Sequence, residues 1–89
     1  VAIGALRAAA RHGLVPGRSR RGGLRIAGHD DYPLCPFTTP ALTTVAQDFQ
    51  AIGKAAVSLL VEIINGAETD PTNPQVQLFD GVLKLRESA

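Results

Sequence analysis

Eighty-nine residues carrying a net charge of only +1, 45% hydrophobic and 19% charged, make one small globular domain and leave no room for two. That balance argues against wholesale disorder, and no apolar run approaches the roughly 20 residues that cross a bilayer, so no membrane partner is expected. Cys35 is alone, which excludes an internal disulfide and fits a reducing compartment.

The chain opens on Val1 without a methionine, and its first residues read as a helix already under way. No basic segment or cleavage pattern marks a signal peptide, so a piece of a longer protein is expected. Over residues 1–12, Ile3, Leu6 and Ala10 share one helical face, with Gly13 as the stop and Pro16 preventing resumption. Arg7, Arg11, Arg18, Arg20, Arg21 and Arg25 all precede the first acid, Asp30. No aromatic interleaves with them and glycines flank the densest part, which favours a solvated loop over residues 17–23 rather than a phosphate-binding surface.

Leu24–Ala27 reads as a short buried strand ending at Gly28. Pro33, Pro36 and Pro40 keep residues 28–44 irregular, with an extended stretch over Leu42–Val45. The clearest element is a helix from Asp48 to Asn65, with Asp48 as N-cap and Gly66 as C-cap. Its apolar stripe comprises Phe49, Ile52, Ala56, Leu59, Leu60, Ile63 and Ile64. A loop follows, then extended segments over Val76–Phe79 and Val82–Leu85, separated by Asp80-Gly81. Those two residues suit either a tight hairpin or a bend between two sheets. Helices alternating with short apolar strands argue for α/β packing.

Catalytic chemistry finds little support. His12, His29, Cys35 and the acids match no metal-ligand spacing, the serines lack a nucleophile-elbow context, and Gly22-Gly23 precedes a strand instead of a helix. Asp30, at the carboxyl end of a strand, has two readings. It either accepts backbone N–H groups in a turn or faces a ligand crevice, where ligands sit in open α/β sheets. Phe49 likewise reads as core packing, or together with Gln47 as an amide and a flat apolar face for a sugar.

Gly28-His29-Asp30-Asp31, Pro40-Ala41-Leu42-Thr43-Thr44-Val45-Ala46-Gln47 and Gly53 together resemble the signature of the lactose-repressor/galactose-repressor transcriptional regulators. Ala2-Ile3-Gly4-Ala5-Leu6-Arg7 upstream and the closing Leu83-Lys84-Leu85-Arg86-Glu87-Ser88 are similar to that family too, in the same order. His29 stands where the family usually has Phe or Tyr, and the Arg18–Gly23 loop is longer than usual.

The resemblance implies an α/β, periplasmic-binding-protein-like (type I) core of two subdomains with parallel sheets flanked by helices. Residues 1–46 and 81–89 would belong to the C-terminal subdomain and 47–80 to the N-terminal one. It further implies a cytoplasmic, non-enzymatic regulator that senses a small polar effector, most simply a sugar, without cofactor or metal. Asp30, Gln47 and Phe49 would touch that effector. Ile3, Leu6, Arg7, Leu34, Cys35 and Phe37 would supply a homodimer interface. DNA would be read only by a domain outside this sequence. A transporter-associated sugar-binding protein shares the fold and is the alternative.

Overall fold

A computed structural model describes residues 1–17 and 23–89; the expected loop over 17–23 lies almost wholly outside them. Where length alone leads to one small domain, the chain divides into two compact units, Val1–Gln47 with Gly81–Ala89, and Asp48–Asp80.

In the first unit, helix α1 spans Ala2–Arg11. Its inward face is Leu6 and Ala9, not Leu6 and Ala10. Ala9, three residues after Leu6, turns inward while Ala10 stays exposed. Gly13 ends the helix at φ 70, where its N–H donates to the Ala10 carbonyl (3.1 Å) and that of Leu14 to the Ala9 carbonyl (2.9 Å). This paired closure requires a left-handed residue, and glycine takes that conformation without a Cβ penalty.

Strand β1 is Ala27–His29, three residues later than the sequence pattern places it. Leu24 is exposed, and Ile26 finds its partners outside the ladder: its N–H donates to the Ser88 carbonyl at 2.9 Å. The ladder therefore begins where the neighbouring strand begins. That strand, β2, is Thr43–Ala46 and runs parallel to β1, pairing Ala27 with Thr43 and His29 with Val45. The connection between them includes a short 3₁₀ turn over Cys35–Phe37. Strand β3, Val82–Lys84, closes the sheet antiparallel to β2, in the order β1-β2-β3. The sheet is thus mixed, with the expected parallel pair at one edge. Leu6, Cys35 and Leu42 form the core beneath it, with Ala2, Ile3 and Ile26 packed alongside.

Val76–Phe79 forms no strand among the described residues, and β3 pairs only with β2, so Asp80-Gly81 is not a hairpin turn; both residues lie in irregular chain leading into β3. The second unit is helix α2, Phe49–Ile64, and the loop after it. Asp48 caps its start by accepting the Ala51 N–H at 2.9 Å, and Gly66 closes its end at φ 96 in the manner of Gly13. None of its residues is buried, so the apolar stripe is not covered within this unit. In the loop, Thr72 donates its N–H and hydroxyl to the Asp70 carboxylate at 2.8 and 2.6 Å. Those bonds hold the Asp70 carboxyl below the usual carboxylate range.

Candidate functional site

Because β1 and β2 are parallel and in register, their carboxyl ends lie side by side, which brings Asp30 and Gln47 together. The Asp30 N–H extends the ladder by donating to the Val45 carbonyl at 2.8 Å. The chain then turns sharply, with Asp30 at φ 78 and Asp31 at φ 43. Aspartate tolerates this left-handed region better than most residues, so two in succession are a local cause of the turn.

The turn reading of Asp30 is therefore half met: the backbone turns here, yet its carboxylate is occupied by side chains. Gln47 Nε2 donates to Asp30 Oδ1 at 3.1 Å, and His29 Nδ1 stands 2.7 Å from the same oxygen. Gln47 Nε2 is also 3.2 Å from His29 Nδ1. The side chains of His29 and Asp30 are each 59% exposed. Both line a surface groove with Ile26, Tyr32 and Leu42, so an open carboxylate borders an apolar floor. Such a mixture suits a small ligand bearing hydroxyl groups.

Asp31 points to a different task. Its Oδ1 pairs with Arg86 Nη1 at 2.7 Å, and its N–H donates to Thr44 Oγ1 at 3.2 Å. Arg86 in turn donates from Nη1 to the Leu42 carbonyl and from its N–H to Thr43 Oγ1, each at 2.8 Å. The guanidinium bonded to Asp31 holds that carboxyl below its ordinary range, and Asp31 raises Arg86 reciprocally. Ser88, fully buried, completes the stitching: its Oγ accepts the Thr43 N–H at 2.8 Å and donates to the Ile26 carbonyl at 2.6 Å. Asp31, Thr43, Thr44, Arg86 and Ser88 thus act as one polar clamp between the Leu-Thr-Thr strand and the closing segment.

In the sequence these residues stand only as letters of the motif, with no role attached. The signal was available: hydroxyls amid an apolar strand must find partners once buried, and the Arg-x-Ser spacing presents two polar groups of the right kind.

The other expected site residues differ in exposure. Phe49 opens α2 in the second unit and is 59% exposed, so it is not packed in a core there. Leu6 and Cys35 are 5% and 2% exposed and belong to the core of the first unit, where they offer no surface to a second subunit. Leu34 and Phe37 are exposed at 54% and 81%, Arg7 is exposed and Ile3 half-buried. Among the described residues no three His, Cys, Asp or Glu side chains gather as metal ligands, and no helix is long and apolar enough to cross a membrane.

The profile of the periplasmic binding protein-like domain matches residues 1–89. Among curated proteins, the HTH-type transcriptional regulator MalR of Streptomyces coelicolor is 44% identical over 66 residues, covering 74% of this chain and 18% of MalR. An uncharacterized HTH-type transcriptional regulator in the aml 5′ region of Streptomyces violaceus is 49% identical over 67 residues, covering 75% of this chain and 83% of that one. Among solved structures, a sugar-binding transcriptional regulator of the LacI family from Escherichia coli, complexed with phosphate, superimposes with a TM-score of 0.68 at 27% identity. That superposition covers 99% of this chain and 29% of the solved one.

Proposed function

We propose, from the premise that this chain belongs to the lactose-repressor/galactose-repressor regulators through their periplasmic binding protein-like domain, that it is the effector-sensing and dimer-forming portion of a DNA-binding transcriptional regulator. Its effector is a small hydroxyl-bearing molecule, most simply a sugar. The observation that carries this reading is the Asp30 carboxylate, held by Gln47 at the carboxyl end of a parallel strand pair and open to a groove.

Asp30 accepts effector hydroxyls and Gln47 orients it; Phe49 offers an exposed apolar face on the second unit. Residues 1–46 and 81–89 form the C-terminal subdomain and 47–80 elements of the N-terminal one. The division into two units at neighbouring positions supports that assignment. Homodimerisation uses Ile3, Arg7, Leu34 and Phe37, the members of the expected interface that retain surface. DNA is contacted by a domain outside these residues, and the protein carries out no catalysis.

The alternative, a transporter-associated sugar-binding protein, has less support, because the relatives reported above are named as transcriptional regulators. A helix-turn-helix or a secretion signal in the full-length protein separates the two. Asp30→Ala in that full-length protein, titrated by calorimetry with glucose, galactose, maltose and lactose, tests the site. A charged acceptor is lost, so affinity for whichever sugar binds is expected to fall by at least about tenfold. An unchanged affinity would return Asp30 to a purely turn-forming role.

A further inference from the structure

His29 stands where the resemblance leads one to expect Phe or Tyr, and its ring does something a phenyl ring cannot. Nδ1 lies 2.7 Å from Asp30 Oδ1. A bare ring nitrogen and a carboxylate oxygen are both acceptors and would repel at that distance, so the proton must reside on Nδ1. This settles the role of Gln47 as well. Its Nε2 is 3.1 Å from Asp30 Oδ1 and 3.2 Å from His29 Nδ1, but a protonated Nδ1 cannot accept, so the amide donates to the carboxylate alone. Two donors therefore converge on Oδ1. Among the described residues nothing reaches Asp30 Oδ2 or His29 Nε2, while both residues border the same groove.

We propose that His29 is a positioning residue of the ligand site. Its Nδ1–H locks the Asp30 carboxylate in one orientation and leaves Oδ2 as the oxygen available to a ligand hydroxyl. This rests on the effector-binding role proposed for Asp30 and adds the residue that fixes which carboxylate oxygen is left for a ligand donor. An aromatic hydrocarbon at this position would leave the carboxylate to Gln47 alone.

The test uses the full-length protein labelled with ¹⁵N-histidine, at pH 8. The His29 signals are assigned by their loss in His29→Asn. The expected result is an Nδ1–H tautomer that reverts to mainly Nε2–H in Asp30→Ala; a wild-type ring already in the Nε2–H form overturns the positioning role, whatever binds.

Calorimetry with glucose, galactose, maltose and lactose supplies the second readout. Any sugar that binds the wild type should lose roughly tenfold or more in His29→Phe, the scale of one hydrogen bond to a charged group. His29→Asn, whose amide nitrogen stands near the former Nδ1, should recover part of that loss. A sugar held equally well by wild type and His29→Phe overturns the ligand role of His29 while leaving Asp30 intact. Failure of all four sugars to bind the wild type overturns the sugar reading itself, and the ligand role of His29 with it.

Discussion

Ser88→Ala removes a single oxygen, leaves the volume of the site nearly unchanged, and should be among the most damaging changes available in this chain. The hydroxyl is fully buried and serves two backbone groups at once, the Thr43 N–H and the Ile26 carbonyl. Thr43 is itself 2% exposed, so water cannot replace the lost acceptor. Stranding a buried N–H costs about 1–3 kcal/mol, and losing one bond to the half-buried carbonyl about 0.5–1.5 kcal/mol. The sum is about 1.5–4.5 kcal/mol. Urea denaturation of the full-length protein, followed by circular dichroism, reads this directly. With a slope of about 2 kcal/mol/M, the midpoint should fall by roughly 1–2 M. Gln50→Ala, on the exposed side of α2, serves as the control and should stay within about 0.5 kcal/mol. If Ser88→Ala behaves like that control, the clamp is not what joins the closing segment to the sheet.

Arg86 depresses the Asp31 carboxyl, so the stability that Asp31 contributes is full above the ordinary carboxylate range and is lost as pH falls through and below it; Asp31→Asn should flatten the acid limb of a stability-versus-pH curve, and an unchanged limb would count against the pairing. In Gly81→Ala, the new Cβ would sit 2.5 Å from Val45 Cγ1 and 3.4 Å from the Ala46 carbonyl, on a strand whose β-branched side chain has little freedom to yield. Overpacking of this kind costs about 1–3 kcal/mol, visible as a lowered Tm, and an unchanged Tm would mean that β2 and β3 approach less closely than described. The isolated 89-residue chain should self-associate or lose order around α2, because Phe49, Leu60 and Ile64 are 59, 55 and 72% exposed. Sedimentation equilibrium showing a monomer at micromolar concentration, together with a cooperative melt, would refute this.

Local signals carried the helices well. Asp48, Gly66 and the 3.6-residue stripe are all features of one continuous segment, and α2 spans Phe49–Ile64 accordingly. Strands were less legible because their limits are set by partners distant in the chain. Leu24–Ala27 has the composition of a strand, yet the ladder starts at Ala27 because Thr43 is the first residue able to pair with it, and Ile26 is claimed by Ser88 instead. Val76–Phe79 has the same composition but no partner strand among the described residues. For the site, Asp30 and Gln47 were both named from the sequence, and their contact follows from the parallel register. The polar character of Arg86 and Ser88 was legible, but which groups they and Asp31 join was not, since the bonds of Arg86 and Ser88 reach partners 43 to 62 residues away in the chain.

The clamp also bears on how this segment is made. Thr43 leaves the ribosome well before Ser88, the residue that satisfies its N–H, because 45 positions separate them. At synthesis rates of about 5–20 residues per second, that interval lasts roughly 2–9 s. Throughout it, the side of β2 that β3 will occupy is an open strand edge, available to any neighbouring nascent chain. The interval can shorten if the intervening codons are translated quickly, and it lengthens if they stall. Synonymous changes between Ala46 and Val82 that slow translation should therefore lower the yield of folded protein without altering a single contact in it.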